Sequence, residues 1–211
     1  MNAPMDGAGA GRFFNLQVAV LVTVTFMLGM SEFVVVGILP DIASGLRVSE
    51  VTAGNLVALF AFVYAPCTPL GSALSARFPR FATYMALMGV FLAGNVLCVL
   101  APNYPVLLVA RLLIASVSGT LVAVSMTFAP DVTEDRYRTK FIAWVFSGFS
   151  IASVVGVPVG TWVAAAFGWR ASFALISILT AMLMALMAVV LPRNSCLLYT
   201  SDAADELDGV D

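Results

Sequence analysis

Six stretches of this chain are each apolar for roughly 20 residues, the length a helix needs to cross the hydrocarbon of a bilayer. They lie at Leu16–Leu39, Val51–Leu74, Ala82–Leu100, Val106–Ala129, Phe141–Phe167 and Ser172–Leu191. Barrel strands would alternate polar and apolar residues, and these runs do not. The pattern predicts an all-α membrane protein with six transmembrane helices. Composition demands the same solvent: the chain is 61% hydrophobic and 10% charged. A soluble domain is nearer ~45–50% and ~25%. The breaks between runs are short: PDIASGLRVSE, SARFPRF, APNYP, PDVTEDRYRTK and GWRA. Pro40, Pro79, Pro102, Pro105, Pro130 and Pro192 sit at or near run ends, where a missing N–H does least harm.

The start, MNAPMDGAGAGRFF, is small and polar, and the run behind it is too long for a signal-peptide core. Residues 1–13 are therefore expected to be a cytoplasmic N-terminus. The Lys/Arg bias supports this orientation. Arg12, Arg77, Arg80, Arg136, Arg138, Lys140 and Arg193 flank one side, against Arg47 and Arg170 on the other. The protein is expected to be a multi-pass protein of a plasma membrane, with lipid as its main partner.

The sequence has no histidine, which removes Ser-His-Asp and Cys-His catalysis and histidine-ligated haem and zinc. Cys67 and Cys98 sit alone in apolar runs, without a CxxC, and read as small core residues. No catalytic residues, metal or cofactor are expected, and no nucleic-acid partner.

Two charges fall at lipid depth, Glu32 in the first run and Arg111 in the fourth. Each costs at least ~2.5–3.5 kcal/mol at mid-helix, so such residues face protein or water and find partners. At ~1.5 Å per residue both lie ~8–11 Å below the same boundary, so they can pair. An acid set between desolvation and a nearby cation can load and release a proton. Glu32 and Arg111 are therefore the candidate proton-coupling residues, with a static structural pair as the alternative. Asn55 and Asn95 are polar groups within the spans that either face substrate or fasten helices together.

Arg111, Ala115, Gly119, Ala123 and Thr127 recur every four residues, so one stripe of the fourth helix should face protein. Gly148, Ala152, Gly156, Gly160 and Ala164 do the same in the fifth, with Pro158 inside the ladder. A smooth face bent by proline suits a helix that slides or rocks against another.

Four stretches carry a resemblance. SEFVVVGILPDIASGLRVS holds the membrane acid Glu32, and GSALSARFPR holds Gly71, Arg77 and Arg80. ARLLIASVSG holds Arg111, and GVPVGTWVAAAFGWRASF holds Gly156, Pro158 and Gly160. Together the chain resembles the N-terminal half of a major facilitator superfamily transporter, in the drug:proton antiporter group that includes bacterial sugar, purine and chloramphenicol efflux proteins. The resemblance spans Phe14 to Asn194. It implies six helices as two inverted three-helix repeats, one half of a twelve-helix fold that works by alternating access in a bacterial inner membrane. Its implied partners are a small-molecule substrate, protons and a missing C-terminal half. Ser75 replaces the usual acid of the loop 2–3 motif, and the resemblance implies a gating pair between Arg77 or Arg80 and Asp131. Gly148, Gly156, Pro158 and Gly160 stand where that group has its helix 5 motif. The alternatives are a self-contained six-helix channel or a structural membrane protein, with a membrane enzyme the weakest.

The last seventeen residues read unlike the rest. SCLLYTSDAADELDGVD carries five of the 12 acids and no periodicity, and is expected to be disordered. Without it, ten bases face seven acids. Cys196 to Asp205 back-translate in frame into a transposase-type sequencing adapter. Residues 14–194 are therefore expected to be the six-helix domain, and 195–211 a non-native tail on a fragment. The DNA beyond Asn194 in the intact gene checks this: six further spans are expected, and a natural stop there would make the chain a complete six-span protein.

Overall fold

A computed structural model of the chain describes residues 16–191. The N-terminal segment, Arg12, Arg193 and the tail lie outside the described residues. Among those described, everything regular is helical. Six helices are long and apolar enough to span a membrane. In chain order the helices are α1 (Leu16–Gly37), α2 (Leu39–Leu46), α3 (Glu50–Ser75), α4 (Arg80–Leu100) and α5 (Tyr104–Thr127). Then follow α6 (Ala129–Val132), a 3₁₀ turn at Asp135–Tyr137, α7 (Arg138–Ile151), a π turn at Ala152–Gly156, α8 (Val157–Phe167) and α9 (Trp169–Val190).

The spans begin where side chains can satisfy the first free amides. The Ser49 hydroxyl accepts from the Thr52 amide at 3.1 Å, and the Asn103 carbonyl oxygen from the Val106 amide at 3.1 Å. Gly168, at φ 88°, makes the tight corner between α8 and α9, a conformation that suits glycine.

Two stretches differ from the sequence reading. PDIASGLR looked like a plain loop, yet Leu39–Leu46 form a helix. Pro40 sits in its first turn, where no N–H is needed. Arg47 ends it in the left-handed region, and the Arg47 and Val48 amides bond back to Ser44 and Ala43 carbonyls. The fifth span is one rod in hydropathy but three pieces in backbone. Pro158 cannot donate to the carbonyl four residues earlier, and the widened turn before it absorbs the mismatch.

The packing repeats itself. α3 packs on α5 as the α7–α8 rod packs on α1, and α4 packs on α5 as α9 packs on α1. α4 and α9 pack on each other. Exchanging spans one to three for spans four to six leaves this pattern unchanged. Consecutive spans reverse direction, so units three spans apart run opposite ways. The fold is two inverted three-helix repeats. Its axis is the pair α1 and α5, whose apolar stretches are 67% and 61% buried, against 11% for α3.

Small residues make the two equivalent crossings. Gly148, Ala152, Gly156, Gly160 and Ala164 are all buried. The four of them from Gly148 to Gly160 meet Thr25, Gly29, Met30 and Val34 of α1 in turn. At α3 and α5 the fit is reciprocal: Gly71 lies under Thr120, and Gly119 under Thr68. Lipid supplies no hydrophobic drive between helices, so such close contact carries the association. Gly119→Val is expected to lower stability by about 1–3 kcal/mol, while Gly54→Ala, with open space around it, should not destabilise. Thermal unfolding in detergent micelles reads both.

Candidate functional site

The polar residues at the centre of the bundle converge where α1, α3, α4 and α5 meet. Arg111 of α5 is 1% exposed. Its Nη1 donates to the backbone carbonyl of Ser31 at 2.7 Å. A carbonyl has two lone pairs, so Ser31 can accept this bond and keep its helical one. The guanidinium also lies over the Phe60 ring of α3, 4.5 Å from its centroid. Phe60 stacks in turn on Tyr64, one turn on, at 6.0 Å and 23°. Arg111 is therefore held by a dipole on one side and an aromatic face on another. Its Nε has no acceptor.

Ser31 carries a second link. Its hydroxyl donates to the Asn95 side-chain oxygen of α4 at 2.9 Å. The Asn95 amide donates to the Phe91 carbonyl at 2.9 Å. Asn95 is 0% exposed, so its geometry is that of a fastener between α4 and α1. Cys98, one turn further along α4, is also fully buried and lies within electrostatic reach of Arg111.

Glu32 follows Ser31 directly and is half-buried. Among the described residues it forms no ion pair with Arg111. The arrangement separates a sealed cation from a half-open acid, with the Phe60–Tyr64 stack beside the cation. Asn55 is exposed on α3.

A second polar set lies at one end of the bundle. Arg80 Nη1 is 3.1 Å from Asp131 Oδ2 and donates to the Thr127 carbonyl. The first residue of α4 is thereby tied to the end of α5 and to α6. Arg77 is exposed nearby. Gly71 lies further along α3 against Thr120. Of the fifth-span residues, Gly148, Gly156 and Gly160 face α1 while Pro158 is exposed.

Sequence reasoning passed over Ser31, Phe60 and Tyr64. A backbone carbonyl leaves no mark in a sequence. An aromatic pair four apart in a span was the one signal available, because it places two rings on one helix face.

The family described as Major Facilitator Superfamily matches residues 21–201. An uncharacterized MFS-type transporter of Bacillus subtilis, YbcL, is 34% identical over 83% of this chain and 45% of its own length. A probable sugar efflux transporter of Mannheimia succiniciproducens is 28% identical over 86% of this chain and 46% of its own. A chloramphenicol resistance protein of Streptomyces lividans is 32% identical over 75% of this chain and 40% of its own. The chain thus spans less than half the length of these relatives. In three dimensions it is similar to the POT family transporter PepTSo, with a TM-score of 0.72 at 15% identity. That likeness covers 87% of this chain and 40% of that one.

The Ser31–Asn95 link has a measurable consequence. Asn95→Ala is expected to destabilise the bundle by about 1 kcal/mol, the usual worth of an interhelical hydrogen bond in a membrane. Unfolding in detergent micelles measures it, and an equal loss in Asn55→Ala would contradict the assignment.

Proposed function

The chain belongs to the major facilitator superfamily, and from that premise we propose that it supplies the N-terminal half of a proton-coupled exporter of a small molecule, working by alternating access. One observation carries this reading: the Arg111 guanidinium donates to the Ser31 carbonyl and lies over Phe60, and among the described residues the half-buried Glu32 carboxylate makes no ion pair. An ionisable group at such depth is functional by default.

In this reading Glu32 takes and releases the proton. Arg111 stays sealed and supplies a fixed positive charge that biases the exchange. Asn55 is the polar candidate for substrate contact, and Asn95 positions Ser31. The Arg80–Asp131 pair locks the end of the bundle, Arg77 offers a second cation, and Gly71 lets α3 lie close to α5 there. The Gly148–Gly156–Gly160 face and the Pro158 bend let the fifth span slide on α1. The partners are protons, the substrate and a second six-helix half that completes the cavity. The reading sets the N-terminus in the cytoplasm of a bacterial cell, supported by the Lys/Arg bias toward the side bearing Arg77, Arg80, Arg136, Arg138 and Lys140. Relatives named for sugar efflux and chloramphenicol resistance favour export as the direction.

Two experiments test the proposal. In a twelve-helix protein that joins this half to its second half, Glu32→Gln is expected to abolish efflux driven by a pH gradient while expression is kept. Efflux at the unaltered rate would remove Glu32 from the mechanism. The 211-residue chain alone in vesicles should show no specific uptake, because one wall of the cavity is missing. Saturable uptake would make it a self-contained channel or carrier.

A further inference from the structure

The segment that joins α6 to α7 has no part in the transport mechanism proposed above. Tyr137, at the end of the 3₁₀ turn, is half-buried and packs on the core. Two cations share its ring: the Arg136 guanidinium carbon lies 4.7 Å and the Lys140 Nζ 5.5 Å from its centroid. Like charges left in water drift apart, and one aromatic ring holds both within reach of its centroid. Glu134 takes the Arg136 Nε at 2.9 Å, which orients the guanidinium and leaves its two Nη groups. Arg138 is exposed on the first turn of α7.

What lies below the cations sets this apart from an ordinary basic loop. Lys140, Ala143, Trp144 and Ser147 follow at spacings of three, four and seven, so they share one face of α7. A shallow open groove runs along that face, lined by Ala143, Trp144 and Ser147. The Ser147 hydroxyl turns back to the Trp144 carbonyl at 2.6 Å, so its polarity is spent within the helix. Trp144 is 43% exposed. It lies six residues past the start of α7, ~9 Å along the axis. Near the end of a spanning helix, indoles concentrate at the level where headgroups meet acyl chains.

We propose that this face holds one anionic phospholipid of the adjoining leaflet, its phosphate on Arg136 and Lys140 and an acyl chain in the groove over Trp144. Two cations held on one ring suit a phosphate that no bound ammonium neutralises. The apolar groove in line with them suits a chain that a free phosphate lacks. Basic clusters at this level of a membrane protein attract anionic lipid.

The test uses the full chain in lipid nanodiscs, with Trp162→Phe removing the exposed second indole. Trp169 is buried at the other end of the bundle and gives a constant background. Phosphatidylglycerol brominated on its acyl chain should quench Trp144 with about 25-fold higher apparent affinity than brominated phosphatidylcholine, about fivefold for each of the two cations. Arg136→Gln and Lys140→Gln should each lower that affinity by about fivefold, and the double variant should show no preference. Tyr137→Leu keeps both charges and should still weaken the preference, because the clamp is gone. Circular dichroism checks that each variant is folded. Equal quenching by the two lipids, a preference that survives in the double variant, or displacement of the lipid by inorganic phosphate would each overturn the proposal.

Discussion

A guanidinium carried to the middle of a membrane-spanning bundle brings five N–H donors to a place where lipid offers no acceptor. Arg111 answers part of that demand with the Ser31 carbonyl of α1 and the Phe60 ring of α3, while its Nε finds no acceptor. Those two contacts fix three helices against one another at a single depth. A direct ion pair would quiet both charges, and a long side chain reaching past Glu32 to the preceding carbonyl leaves the carboxylate beside a field and not inside a bond. The Ser31 side chain extends the same constraint to α4 through Asn95. One arginine thus organises four of the spans.

Around this centre the fold is built twice. α3 on α5 and the fifth span on α1 are equivalent crossings, and each is made close by glycine against threonine or a small neighbour. The two ends are fastened by different chemistry. At one, Arg80 ties α4 to Asp131 and Thr127. At the other, Arg170 donates to the Ala101 carbonyl at 2.7 Å and lies over Trp169, which itself meets Gly45 of α2. Tyr104 donates to the Thr52 carbonyl at 2.8 Å at that same end. Smooth crossings between polar fastenings are the arrangement expected of helices that move as bodies, because packed interfaces switch more readily than they deform.

The spans were legible because lipid imposes a length, and few other environments require twenty apolar residues in a row. The stripe through Gly119 and the ladder from Gly148 to Ala164 were legible because a spacing of four puts small residues on one face. α2 was not: its Pro40, Asp41 and Gly45 are loop residues by composition, and only their positions within eight residues let them start and end a helix. Pro158 announced a bend without its form. At the centre, the sequence placed Glu32 and Arg111 at one depth but not the acceptor. Hydropathy and spacing describe side chains, whereas Arg111 is bound to backbone.

The central claim is that Glu32 exchanges a proton while Arg111 remains sealed beside it. Infrared difference spectroscopy of the reconstituted chain between acid and alkaline buffer addresses it most directly. The account predicts a carboxylic-acid carbonyl band that comes and goes with pH and is lost in Glu32→Gln. It also predicts that the band persists in Arg111→Lys with its midpoint moved. An unaltered difference spectrum in Glu32→Gln would contradict the account, because the acid beside the buried arginine would then be a silent structural group.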